Sequence, residues 1–409
     1  MSRVLVTDAG RGSGIATIRS LGRNGIEVVA ADTSSRSPAF VSRYVQQKVV
    51  YPSPDTEPDA AIEALVSATR DHQVDLVVPV GETLVTLLTS ARDRFPASTV
   101  LALAEAEALD LARDKRATVE LAERLGIPTP RTVVVESVAE AGRAARELGW
   151  PVVLKPHVSR TIRDSGYMER FGVGYAADSE ELAMRMGELE GRCAVLLQEY
   201  CGGEGHGVGL LMDRGHALLG FQHRRLREVP TTGGPSSFRE SVPLDPRLLD
   251  DSVRLLRELR WTGPAMVEFK VGPAGAKLME VNGRLWGSLA LAVKSGVDLP
   301  SGIVDLYLSP DARPSQAPIP GYRVGVRSRD LTLEVSWIAS VLRGAKPYGY
   351  LGMPRRRDAL ATAVRLFDPR DGYDILGRDD PLPGLVELAG LGLSIPARAL
   401  RSVRHRGRR

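Results

Sequence analysis

Apolar residues follow two spacings along this chain, and the places where the spacing changes divide it. Val4-Leu5-Val6 is a strand-like run, followed by Gly10, Gly12 and Gly14, a helical pattern from Ile15 to Asn24, a second strand Glu27-Val28-Val29-Ala30, and Asp32. This order predicts a βαβ unit with a glycine-rich first turn. Leu76–Val80 and Val100–Leu103 read as further strands with helical patterns between them, so residues 1–110 are expected to form one parallel-sheet, Rossmann-like domain. Asp32 lies 20 residues after Gly12, as in a dinucleotide fingerprint, but the glycines do not keep a clean G-x-G-x-x-G spacing. A tight first turn requires glycine for conformational reasons alone.

The pattern changes near residue 111. A helix from Leu109 to Leu125 is expected to stop at Gly126-Ile127-Pro128, and strands are expected at Arg131–Val135, Val152–Leu154, Val195–Gln198, Val208–Met212, Ala217–Phe221, Ala265–Phe269 and Lys277–Val281. Helices between them make residues 111–308 an α+β unit with largely antiparallel sheets. Four prolines within 309–320 mark a linker, and residues 309–409 form a third unit, with a strand over Tyr322–Val326, a helix over Leu331–Leu342 and a basic end. The fold class is therefore α/β and α+β multidomain.

Composition narrows the setting. At 409 residues, 43% hydrophobic and 25% charged, the chain is long and apolar enough for several cores. Cys193 and Cys201, eight apart, fit no bridging or zinc spacing, and no secretory h-region is present, so a cytoplasmic location is expected. No apolar run approaches the roughly 18 residues of a membrane span. Arg398, Arg401, Arg404, Arg406, Arg408 and Arg409 outweigh the net charge of +4, making the basic balance a property of the tail. No nucleic-acid partner is expected; the tail is read as a solvated tip, with peripheral contact to an anionic membrane as the other reading. A homodimer is compatible with the sequence.

Glu268 and Glu280 carry the most chemical information. They lie in two strand-like runs joined by Gly272-Pro273-Ala274-Gly275, and a hairpin symmetric about residue 274 sets them directly across from each other. Alternation places Asn282 and Arg284 on the face of Glu280. Two carboxylates and a carboxamide in apolar contexts (Ala-Met-Val-Glu-Phe and Lys-Leu-Met-Glu-Val) are costly unless a cation joins them, and hard oxygen ligands favour Mg²⁺ held with substrate phosphates. An exposed hairpin with ordinary charges is the plainer alternative. Only seven lysines occur in the chain, and Lys155 emerges from the buried run Pro151–Leu154, where it pairs with an acid or reaches a phosphate. Lys115 alone would be a solvated helix charge. The glycine-bearing stretch Ser159–Gly174 is suited either to covering phosphates with backbone N–H groups or to being a surface loop. After Val195–Gln198, the segment Glu199-Tyr200-Cys201-Gly202-Gly203-Glu204 offers a strand end for an adenine edge and an acid for ribose hydroxyls.

The ordered set Asp114-Lys115, Leu154-Lys155-Pro156, Gln198-Glu199-Tyr200, Glu204, Glu268 and Glu280-Val281-Asn282-Gly283-Arg284 resembles the ATP-grasp superfamily, in particular its branch similar to carbamoyl-phosphate synthase and biotin carboxylase, over about residues 1–305. The resemblance implies that residues 1–110 are a pre-ATP-grasp domain without a nicotinamide site, and that two subdomains within 111–308 grip ATP. It implies phosphate contacts for Lys115 and Lys155, adenine contacts from the backbone of Glu199, Tyr200 and Cys201, and a ribose-binding Glu204. Glu268, Glu280 and Asn282 match the ligands of Mg²⁺, with Mn²⁺ as a substitute. Arg284 matches the arginine that steadies the transferred phosphoryl group. Gly283 departs from the usual proline at that place, and the arginine-bearing Ser159–Phe171 is unusually long.

The implied activity is an ADP-forming carboxylate–amine ligase acting on small-molecule or peptide substrates through an acyl phosphate. For the acceptor side, Gln222–Arg227 and the loop Thr231–Ser237 join arginines to hydroxyls and glycines, and Arg225, on the face of Phe221 and His223, is the arginine chosen for the substrate carboxylate or acyl phosphate. A surface strand and turn is the equal alternative. His157, His206 and His223 are further candidates for the cleft. Biotin-dependent carboxylation is the second reading, although the chain lacks a biotinyl Met-Lys-Met segment; a non-catalytic ATP-binding regulator is the third. The absence of a Gly-Lys dipeptide excludes a P-loop NTPase, and no G-x-S-x-G segment suggests a hydrolase.

Overall fold

The computed structural model describes residues 2–157, 172–230, 233–309, 319–344 and 354–391, together with the backbone of two short strands, Arg160–Ile162 and Met168–Arg170. Most of Ser159–Phe171, Thr231 and Thr232, most of the proline-rich stretch and the arginine tail lie outside the described residues.

Five parallel strands form the first sheet: β1 (Arg3–Val6), β2 (Glu27–Asp32), β3 (Val45–Val50), β4 (Leu76–Val78) and β5 (Val100–Leu101), in the order β3-β2-β1-β4-β5. Val4, Leu5 and Val6 are fully buried, as expected of a central strand covered on both faces. The glycine cluster serves the turn: a Cβ on Gly14 would stand 2.6 Å from the Ala9 carbonyl oxygen. Asp32 accepts from the Gly10 N–H at 2.7 Å and the Ser37 hydroxyl at 2.6 Å. Its carboxylate closes the turn, and the dinucleotide spacing is explained without a ribose.

The second sheet contains β6 (Thr132–Val135), β7 (Val152–Pro156), β10 (Gly174–Ala176) and β11 (Val195–Glu199), antiparallel in the order β10-β7-β11-β6, with β8 (Arg160–Ile162) and β9 (Met168–Arg170) pairing separately. Helices Val138–Leu148 and Ser179–Leu189 bury Ala141, Ala145, Leu182 and Met186 against Val152, Leu154 and Leu197. This leaves the other face of β7, with Val153 and Lys155, turned to a cleft.

The third sheet is seven-stranded, with order β16-β15-β12-β13-β14-β17-β18. Its members are β12 (Glu204–Asp213), β13 (His216–Glu228), β14 (Ser236–Ser241), β15 (Gly263–Gly272), β16 (Gly275–Asn282), β17 (Arg327–Arg329) and β18 (Asp371–Tyr373). The sheet thus continues past residue 308, since β14 pairs with β17 and β17 with β18. Asp380 fastens the C-terminal segment to the first sheet's helix: it is 1% exposed and receives Arg19 at 3.0 Å and the Ser42 hydroxyl at 2.7 Å.

Three local expectations change. The helix expected over Leu109–Leu125 is two helices, Ala106–Arg113 and Lys115–Arg124, because Asp114 leaves helical geometry (ψ 103°) and caps the second by accepting the Ala117 N–H at 2.9 Å. That break makes Lys115 the first residue of a helix. The strand expected at Tyr322–Val326 falls instead at Arg327–Arg329, where the edge of β14 offers a partner. β3 is polar in its middle (Gln46-Gln47-Lys48) with valines only at its ends, so it lacks an alternating pattern, and it pairs with β2.

Candidate active site

A cavity of about 490 Å³ separates the second and third sheets. Lys155, Gln198, Glu199, Tyr200 and Cys201 line one wall, and Glu268, Glu280, Asn282, Arg284 and Arg225 line the other.

The acidic wall depends on an irregularity. Around the turn, Gly272 faces Gly275 and Phe269 faces Leu278; that register, continued, would set Glu268 against Met279. A β-bulge between Glu268 and Phe269 shifts it by one, so Glu268 faces Glu280, Val267 faces Val281 and Met266 faces Asn282. The carboxylates therefore oppose each other because Met279 is an extra residue, and not because the hairpin is symmetric about residue 274.

Asn282 ties the pair together, its Nδ2 donating to Glu268 Oε1 at 3.0 Å and Glu280 Oε1 at 3.3 Å. Its Oδ1 accepts from Arg284 Nη2 at 3.2 Å, and Arg284 Nη1 donates to the Leu285 carbonyl at 3.0 Å. Gly283 replaces the expected proline because Trp261, 1% exposed, fills the space: a Cβ there would lie 2.4 Å from its ring.

The two glutamates are electrostatically unequal. Burial pushes the Glu268 carboxyl up, Arg225 opposes the shift and Glu280 adds to it. Burial also works against the Glu280 charge, but the ammonium groups of Lys115 and Lys155 outweigh it and hold that carboxyl below its ordinary value. Lys155 is itself pulled down by burial, partly offset by Glu280. Lys155 acts on Glu280 across the cleft, whereas Lys115 shares with Glu280, Asn282 and Arg284 an adjoining cavity of about 170 Å³. The two lysine segments are joined: His157 Nε2 and Asp114 Oδ1 are 2.7 Å apart, and the Lys115 N–H donates to the His157 carbonyl at 3.3 Å.

At the end of β11, the Tyr200 ring meets Tyr175 edge-on with centroids 6.2 Å apart. The Glu199 side chain is engaged by Lys277 and by Arg131 at 2.9 Å; despite burial these hold its carboxyl at about 2. Glu204 is placed otherwise than expected. Gly205 turns toward the cavity, where a Cβ would touch Arg225 Cδ at 2.9 Å, while the Glu204 carboxylate meets His206 at 3.7 Å and Arg224 at 3.6 Å. Strand alternation sends neighbours to opposite faces, so the Glu204 side chain is half-exposed beside His206 and Arg224 and does not line this cavity. His206 shares that outer position, and His157 sits on Asp114; of the three histidines weighed, His223 lines the cavity.

Arg225 lines the cavity with its guanidinium already engaged: Nη2 is 2.5 Å from Glu268 Oε1, and Nη1 is 3.2 Å from Glu228. It lies over glycine, as does the rest of this face. Gly205, Gly207 and Gly209 alternate along β12, and Cβ atoms there would strike Arg225, His223 and Trp286. The Glu-Gly-His-Gly-Val-Gly spacing held this signal in the sequence: a strand with one bare face lets large side chains of neighbouring strands lie flat across it. Arg239 was also missed. It faces Arg225 in the β13–β14 register, is 1% exposed, and is held by Asp374 and the Gly287 carbonyl at 3.2 Å.

The donor set fits a divalent cation bound together with phosphates. Two carboxylates and one carboxamide leave a hard cation short of ligands, and phosphate oxygens complete such a shell. Among the described residues no group of three or more His, Cys, Asp or Glu side chains forms a self-sufficient metal site.

Comparisons with known proteins agree with this geometry. Residues 192–328 match the family model described as "ATP-grasp in the biosynthetic pathway with Ter operon". That stretch is an ATP-grasp region. The fold is similar to that of biotin carboxylase of Campylobacter jejuni in complex with β-γ-ATP (TM-score 0.64, 17% identity, covering 80% of this chain and 74% of that one). It is also similar to an L-amino acid ligase from Bacillus licheniformis (TM-score 0.57, 14% identity, 76% and 74% covered). In sequence it is 32% identical over 183 residues to a formate-dependent phosphoribosylglycinamide formyltransferase of Synechococcus sp. (strain RCC307), covering 44% of this chain. The chain spans about two-fifths (42%) of that relative's length. Among the described residues no helix is long and apolar enough to cross a membrane.

Proposed function

We propose that the protein is an ATP-dependent, ADP-forming carboxylate–amine ligase. The observation that carries this reading is the opposed pair Glu268 and Glu280 on one wall of a cavity, with Lys155 on the other wall and Lys115 beside Glu280 in the adjoining cavity. A carboxylate is a poor electrophile; attack of its oxygen on the γ-phosphorus of ATP forms the acyl–oxygen–phosphorus bond and releases ADP. The amine nitrogen then attacks the acyl carbon, phosphate leaves, and the amine's proton is lost to give the amide.

The side chains bind, orient and exclude water. Lys115 and Lys155 hold phosphate oxygens, the backbone of Glu199–Cys201 meets the adenine edge beside Tyr200, and Arg284 lies against the transferring phosphoryl group. Glu268, Glu280 and Asn282 would hold Mg²⁺, which would supply neutralisation of charge on the phosphate oxygens. The acid substrate enters beside Arg225 and Gly233–Ser236, and the name of the curated relatives, which specifies formate, supports a small carboxylate in that place. Carboxylate and amine pools incubated with MgATP should release ADP and phosphate when the cognate pair is present. AMP and pyrophosphate as products would refute acyl-phosphate chemistry.

A further inference from the structure

We propose that Arg225 is a resident counter-cation for Glu268, which the metal–nucleotide must displace, and that the displaced guanidinium turns to the acid substrate. The inference rests on the nucleotide reading above.

A free carboxylate in this cavity is costly, and Glu268, with 13% of its side chain exposed, is not free. Its Oε1 is taken by Arg225 Nη2 at 2.5 Å and by Asn282 Nδ2 at 3.0 Å. Asn282 Nδ2 also reaches Glu280 Oε1 at 3.3 Å, so the two groups occupy the oxygen through which a cation joining both carboxylates on that side would bind. A carboxylate oxygen cannot hold a divalent ion and a guanidinium at such distances without strong repulsion between the two cations in a poorly solvated site. At Oε1 one of them has to leave.

Arg225 has somewhere to go. Its Nη1 already lies 3.2 Å from Glu228 Oε1 and 3.3 Å from the Gly234 carbonyl, so a rotation keeps two partners while releasing Glu268. Gly205 beneath it provides the space, since a Cβ would stand 2.9 Å from Cδ. Asn282 can follow by turning its carboxamide, whose oxygen is now held by Arg284. The released guanidinium then faces the Gly233–Ser236 side of the cavity with an unused fork, a geometry that suits a carboxylate. Metal–nucleotide and acid substrate therefore strengthen each other's binding, because each favours the same position of one side chain.

The test is Mn²⁺ binding in the presence of ADP, followed by electron paramagnetic resonance on the wild type, Arg225→Met and Arg225→Lys. Removing the competing charge should tighten Mn²⁺ by roughly tenfold or more in Arg225→Met, the lower range for close charge pairs, with Arg225→Lys nearer the wild type. Equal or weaker binding in Arg225→Met overturns the proposal. A wild-type structure with Mn²⁺ and ADP is the second reading, independent of any variant's folding: the Arg225–Glu268 contact should open beyond about 4 Å, and a persisting contact overturns the proposal as well. If the wild type binds no Mn²⁺ with ADP, or Glu280→Gln leaves that binding unchanged, the nucleotide reading itself fails.

Discussion

Lys155→Met separates binding from stability. The substitution keeps an unbranched chain of similar length and removes the ammonium. In the folded protein burial pulls Lys155 below its ordinary value, so the free cleft holds this charge at a net cost that Glu280 and Glu268 only partly offset. Glu280 keeps Lys115 after the change. Unfolding stability without ligand should therefore stay within about 1 kcal/mol of the wild type or rise. Nucleotide binding should behave in the opposite way. Removing one partner of a desolvated charge pair costs about 2–5 kcal/mol, which corresponds to a loss of roughly 30- to 5,000-fold in affinity. Calorimetric titration with Mg²⁺ and a non-hydrolysable ATP analogue, beside urea unfolding of the free protein, gives both numbers. Wild-type affinity in the variant would refute the placement of phosphates at Lys155; a loss of affinity matched by an equal loss of stability would show that the lysine is structural.

Glu280→Gln removes the carboxylate on which both lysines act and should lower coupled ADP release at least a hundredfold, with ADP measured by chromatography. Gly209→Ala would place a methyl 2.2 Å from the Trp286 ring, which is 1% exposed and cannot withdraw; urea unfolding should show a loss of about 1–3 kcal/mol or more. Lys277 and Arg131 hold the Glu199 carboxyl at about 2, below its ordinary 4.5, so these ion pairs contribute stability that is complete above pH 4.5 and lost as pH falls toward 2, measurable as a falling unfolding midpoint that is reduced in Glu199→Gln. Burial, with Arg19 and Arg23 nearby, brings Lys294 from 10.5 to about 8; the unfolded chain then binds more protons between these values, so this residue's contribution to stability rises with pH across them, and Lys294→Met should gain about 2 kcal/mol at pH 7.

Much of the fold was legible because burial leaves a period. The buried run Val4–Val6, the alternation in β15 and β16, and the helix Leu331–Leu342 follow directly from apolar spacing. What spacing does not encode is long-range pairing. β3 is polar and exists through β2, and the strand near residue 328 is fixed by the free edge of β14. The carboxylate pair was legible for an incomplete reason, since the bulge at Met279 makes the register and no residue of the turn announces it. Glu204 shows another limit: its type was legible, but which face of β12 it takes depends on strand alternation, which turns Gly205 and not Glu204 toward Arg225. Arg239 was invisible because its neighbourhood comes from Asp374, far away in the chain.

The central claim is that a metal-bound nucleotide lies between Lys155 on β7 and the glutamate hairpin, within reach of Lys115 at its helix start. A crystal structure with Mn²⁺ and an ATP analogue, recorded at the manganese absorption edge, tests it most directly. The account predicts an anomalous peak about 2.2 Å from oxygens of both Glu268 and Glu280, with phosphates reaching Lys115 and Lys155. A peak elsewhere, or a nucleotide outside this cavity, would contradict it.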